Sequence, residues 1–266
     1  MNRDVVRAIV HKDVAMVLRN RGIRVPIILA PILILVVLPS LLVVGGDALF
    51  VAVPAGIDGL GSLPFSIGGS DARPQSWAEF VLEVFLAPLF LLIPLAVATV
   101  IAADSFAGER ERGTLEALLH SPTTDRELLT GKFLAAWLPA VTVSLVGFAV
   151  YAALANVLAW PTLGRVFFPS TTWLLLAFWV APGIAGLGLA VMVIASSQVR
   201  SLHAANQIGS FLVLPVVLLM IAQITGVVLL GPRVALLLGG LIWLVAIGTL
   251  TVGVRAMKRQ RLALRL

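Results

Sequence analysis

The chain has 266 residues, 60% of them hydrophobic and 12% charged, with a net charge of +6 and no cysteine, and its mean hydropathy is +1.06. Soluble domains carry about 25% charged residues, so this composition excludes an ordinary soluble globule and points to a polytopic membrane protein. The lack of cysteine excludes a disulfide framework, and the positive charge requires no nucleic-acid partner, because Lys and Arg gather on one flank of membrane helices.

Residues 1–24 are charged throughout, show no cleavable leader and do not span. Val6, Ile9, Val10, Met16 and Val17 recur at helical spacing, with Arg3, Arg7, His11 and Lys12 largely off that face. This predicts an amphipathic helix in the membrane interface. Six apolar windows follow, each long enough for a spanning helix of about 20 residues: 25–44, 82–103, 133–156, 171–195, 207–230 and 234–254. The chain therefore reads as one all-α transmembrane domain over 1–266. Residues 45–79, rich in Gly and Pro and holding Asp47, Asp58 and Asp71, read as an irregular loop. The 54 residues between Arg200 and Arg255 contain a single charged residue, Arg233. Two spans use about 40 of them. The surplus, with Pro215, Gly226 and Gly231-Pro232, leaves room for a short re-entrant hairpin before span six, packed in protein or lining a cavity.

Of the 19 Lys and Arg residues, all but Arg73, Arg165 and Arg233 fall on one side of such a topology. The positive-inside rule puts both termini and the loop after span two in the cytoplasm. Trp77, Trp160 and Trp173 fall at outer ends of spans, where an aromatic belt belongs.

Signatures of chemistry are missing. Gly131-Lys132 has Arg126 where a P-loop needs Gly and Phe133 where it needs Ser or Thr. There is no H-E-x-x-H, G-x-S-x-G or Cys/His zinc pattern, and His11, His120 and His203 are scattered, so no metal site is expected. Glu83 and Asp104 lie at opposite ends of span two, and no ionisable group falls in mid-membrane. Ion- or proton-coupled carriers usually need such groups. Asn156, Gln198, Gln207, Gln223 and Thr225 are expected to make interhelical hydrogen bonds. Ala181, Gly183, Ala185, Gly186, Gly188 and Ala190 let span four approach a neighbour closely, inside the bundle or at a subunit interface, with internal packing the default. An interior of apolar side chains and a few amides suits a lipophilic or amphipathic molecule better than a bare ion.

Charge is concentrated in "GERERGTLEALLHSPTTDRELLTGK" from Gly108, within a loop and elbow over 104–132. Gly113-Thr114 opens a short helix in which Leu115, Leu118 and Leu119 form one stripe. Pro122 ends it. Thr124 and Glu127 have the spacing of a capping box that starts the next helix. A solvated loop needs neither the Leu stripe nor five acids among the bases. The pattern fits a docking surface, where charge fixes register and apolar anchors supply affinity.

This stretch resembles the segment after the second span in membrane subunits of ABC-2 type transporters, approximately E-R-x-x-G-T-x-E-x-L-L-x-x-P ending in G-K. Glu109, Arg110, Gly113, Thr114, Glu116, Leu118, Leu119, Pro122, Gly131 and Lys132 match it. The resemblance is greatest to the compact permeases of the NosY and NatB kind. It implies an exporter permease in the inner membrane of a prokaryotic cell, in contact with lipid, with a second permease copy completing a twelve-span unit. It implies two copies of a soluble P-loop ATPase subunit carrying ATP and Mg, with no cofactor and no catalytic residue in this chain. The helix around Thr114–His120 would be the coupling helix. The coupling role falls on Glu109, Arg110, Glu111, Arg112, Thr114, Leu115, Glu116, Leu118 and Leu119. Gly113, Pro122, Thr124, Glu127 and Lys132 would shape the elbow. The resemblance identifies no substrate. The alternatives are an ATP-independent carrier or channel, and a membrane enzyme or assembly scaffold for which Asp104 with Glu109 is the nearest candidate pair.

Overall fold

The computed structural model describes residues 3–46, 77–111, 124–199, 201–225 and 227–256. Among them there is no strand. Helix α1 (Arg3–Arg19) precedes six helices long and apolar enough to cross a membrane: α2 (Arg21–Val44), α3 (Phe80–Gly108), α4 (Asp125–Leu163), α5 (Thr171–Ser196), α6 (Leu202–Ile224) and α7 (Pro232–Ala256). Asn20 separates α1 from α2, its side chain accepting from Gly22 N at 3.0 Å and so capping α2. Ser170 and Ser201 cap α5 and α6 in the same way. Gly164, at φ +60°, closes α4 in the left-handed conformation that glycine adopts without strain.

Helices α3 and α5 form the centre of the bundle, and α2, α6 and α7 present mainly apolar outer faces. The small residues of α5 serve internal packing. A Cβ on Gly188 would stand 3.0 Å from Leu95 of α3, and one on Gly183 3.2 Å from Ile242 of α7. Ala181, Ala185 and Ala190 are fully buried.

Four of the spans' segments are π-helical: 33–37 in α2, 80–85 and 104–108 in α3, and 176–180 in α5. Such a segment shifts the hydrogen-bond ladder by one residue and frees carbonyls. In α3, Leu86 N bonds Val81 O instead of Leu82 O, and Pro88 has no N–H for Val84 O. Three carbonyls of this segment accept from three other helices. Tyr151 Oη donates to Leu82 O at 2.6 Å, Trp173 Nε1 to Glu83 O at 3.0 Å, and Gln223 Nε2 to Val84 O at 2.8 Å. Tyr151 and Trp173 belong to a buried aromatic cluster with Phe90, Phe148 and Phe168.

Several expectations change in this light. Trp173 is fully buried, not a belt residue, because its indole N–H serves the Glu83 carbonyl; Trp160 is exposed. Asn156 and Gln223 do cross-link separate segments, Asn156 by bonding Phe167 and Phe168 of the connection after α4. Among the described residues Thr225 bonds only its own helix. The buried face of α1 is Val6, Ile9, Asp13 and Val17, while Met16 is exposed. No hairpin precedes α7 among the described residues. Helix α6 starts at Leu202 rather than near 207, and α7 at Pro232, so the two absorb the surplus length. The loop 47–76 lies outside the described residues.

Candidate functional site

The charged stretch leaves α3 through Glu109–Glu111 and re-enters the bundle at α4. Arg112, Gly113, Thr114, Leu115, Glu116, Leu118, Leu119 and Pro122 lie outside the described residues, as does the side chain of Arg110. The two roots of the elbow are well defined.

The second root begins with Thr124 as N-cap of α4. Thr124 Oγ1 accepts from Glu127 N at 3.3 Å, and the Glu127 carboxylate accepts from Thr124 N at 3.1 Å. Both halves of the capping box are therefore present, satisfying two donors that the helix start would leave unpaired. One turn later stand Gly131 and Lys132. A Cβ at Gly131 would lie 2.8 Å from Ile9 Cγ2 and 2.9 Å from Ile9 Cβ. Glycine there is what lets α1 lie directly on α4. Gly131→Leu is expected to displace α1 and cost about 1–3 kcal/mol, the usual range for overpacking. Gly248→Leu, with no atom within 4 Å of its Cβ position, is the matched control. Thermal melting of the two purified variants in detergent checks the difference.

Lys132 is 1% exposed. Its Nζ donates to Glu109 Oε2 at 2.5 Å and to Ser105 O at 2.7 Å. Ser105 O is available because Glu109 N bonds Asp104 O in the π-helical end of α3. Asp13 Oδ2 of α1 is 3.8 Å from the same ammonium, and the Phe106 ring centroid is 5.4 Å away. Lys12, half-exposed, lies 3.2 Å from Glu109 Oε1 and 3.3 Å from Asp13 Oδ1. Partial burial pulls the Lys12 pKa down, but Asp13 and Glu109 raise it more, so it stands above its ordinary 10.5. The stability this gives is fully present below 10.5 and is lost only as pH rises through the raised value, so it is constant near neutrality.

The first root is held on its other side by Glu111. Its Oε2 accepts from Leu202 N at 2.7 Å, at the start of α6, where a carboxylate complements the helix dipole. The elbow is thus fastened to α1 and α4 through Glu109 and to α6 through Glu111. Asp13 and Ser105 were not singled out from the sequence, and Ile9 and Lys12 only as parts of the amphipathic helix. The available signal was Asp13, an acid at helical spacing within the stripe Val6, Ile9, Val17. Among the described residues no group of acids, His or Cys is arranged to hold a metal.

Comparison with curated proteins finds no match to this sequence. The sequence profile described as ABC-2 family transporter protein matches residues 7–262, from within α1 to beyond α7. With its six apolar helices and a match over nearly its whole length, the chain belongs to the ABC-2 transporter family and is a multi-pass membrane component of it.

Proposed function

We propose that the chain is the permease subunit of an ATP-driven exporter, working as a dimer, with a separate soluble ATPase seated on the elbow at 112–123. The observation that carries this reading is the fastening of the elbow's roots: a buried ion pair to α4 and α1, and a carboxylate on the first turn of α6. A loop that only joined two spans would need neither. A push delivered at the elbow would reach three elements at once, through side chains rather than through backbone alone. In this reading the ATPase supplies ATP and Mg chemistry. Thr114, Leu115, Glu116, Leu118 and Leu119 form its seat together with Arg110 and Arg112, Glu109 and Glu111 carry the displacement from the elbow into the bundle, and Lys132 holds the root of α4 in the resting state. Both termini and the elbow face the cytoplasm in this reading, which the distribution of Lys and Arg supports.

The cargo fits the lipophilic class. A cavity of about 370 Å³ between α3, α5, α6 and α7 is lined entirely by apolar residues, among them Leu91, Ile184, Leu187, Pro215 and Leu219. That volume suits a small lipophilic molecule.

Changing Leu118 and Leu119 together to Asp tests the proposal. The double variant should insert at wild-type level and lose ATP-coupled transport of a lipophilic dye in proteoliposomes. A desolvated apolar anchor cannot tolerate a carboxylate. Undiminished coupling would contradict the seat proposed for the ATPase.

A further inference from the structure

An ammonium group has three protons to donate. In Lys132, Glu109 and Ser105 O take two of them. Asp13 Oδ2 stands at 3.8 Å, close enough for an ion pair but too far for a hydrogen bond. Asp13 is only 3% exposed, and among the described residues neither of its oxygens has a hydrogen-bond partner, Lys12 approaching to 3.3 Å as an ion pair. Buried carboxylate oxygens are rarely left in that condition, and each case calls for an explanation.

The three groups sit on different bodies. Glu109 and Ser105 belong to the end of α3 that runs into the elbow. Lys132 belongs to α4. Asp13 belongs to α1, which the Ile9–Gly131 contact holds against α4. If the end of α3 moves relative to α4, as the permease reading requires, Glu109 and Ser105 O move with it, while Asp13, on the helix packed against Gly131, stays beside Lys132. Without a second partner the move would strand a buried cation, which is strongly unfavourable.

We infer that Asp13 is a positioning residue for transport: Lys132 exchanges Glu109 for Asp13 when the elbow moves, so that the buried ammonium is paired at both ends of the stroke. This rests on the permease reading above. Lys12, half-exposed and within reach of both carboxylates, follows whichever of them Lys132 releases.

The test uses the permease–ATPase complex in mild detergent, with D13N, D13E and E109Q compared with wild type. Melting temperature is measured without nucleotide and after trapping with ATP and vanadate, alongside ATPase turnover. D13N should lower the melting temperature of the trapped state more than that of the nucleotide-free state. It should also slow turnover about tenfold or more, the change that loss of one charge-assisted hydrogen bond implies. D13E, which keeps the charge, should recover most of the turnover. E109Q should weigh on the nucleotide-free state instead. If D13N does not accumulate, E109D supplies the reading, with a shift confined to the nucleotide-free state supporting the exchange. Equal shifts in both states, from either variant, would show a purely structural cluster and overturn the inference. A wild-type chain whose melting does not respond to nucleotide would overturn the permease reading itself, and the exchange with it.

Discussion

Lys132→Met is expected to lower the stability of the chain by about 3–5 kcal/mol, the usual cost of removing one partner from a buried ion pair. Methionine preserves the length and apolar body of the side chain, so the change isolates the charge. Glu109 and Asp13, each with 3% side-chain exposure, are then left with Lys12, which is 46% exposed. Ser105 O loses its donor as well, and because these losses share one group they do not add. The K132M/E109Q double variant should lose less than K132M alone, since it removes opposite charges together. Chemical or thermal denaturation in a fixed detergent reads the effect, at roughly 2–4 °C per kcal/mol for a chain of this size. Loss of less than about 1 kcal/mol, the level of an exposed ion pair, would mean that water reaches the cluster.

Trp173→Ala is expected to cost about 3–5 kcal/mol, as large aromatic truncations in a packed core do. The ring is fully buried, with centroids of Tyr151, Phe168 and Phe90 at 4.9, 5.0 and 5.5 Å. Inside a bilayer the transfer of apolar surface from water contributes little, but the lost dispersion contacts and the void remain. The Glu83 carbonyl also loses its donor. Trp173→Phe separates the terms, keeping most of the ring contact and giving up one hydrogen bond at about 1 kcal/mol. Trp160→Ala, at an exposed position, should be close to neutral. Melting of the three purified variants under one set of conditions checks the ranking.

The six spans were legible because hydropathy alone marks them, and the elbow because charge is so scarce elsewhere. The start of α4 was legible to the residue, since a capping box is local chemistry between Thr124 and Glu127. The start of α2 was not. Arg21 and Arg24 read as the end of a polar leader, yet Asn20 caps a helix that begins at once, with Arg24 reaching back to Leu18 O. The buried cluster was illegible for a different reason. Lys12 and Glu109 are 97 residues apart, and nothing near Lys132 in sequence names its partners. The π-helical segments were hidden as well. In α3 and α5, donors on other helices meet carbonyls of these segments, and Pro88 was a local hint. Trp173 shows the limit of positional rules. An outer-end tryptophan reads as a belt residue until a free carbonyl behind it is known.

The account stands or falls on whether an ATPase is seated on this chain. The most direct measurement is affinity purification of the tagged permease from membranes in mild detergent, with ATP hydrolysis and native mass determined on the product. The account predicts a complex of two permeases with two soluble P-loop subunits that hydrolyses ATP. A chain that purifies alone and inactive in every detergent that keeps it folded would contradict it.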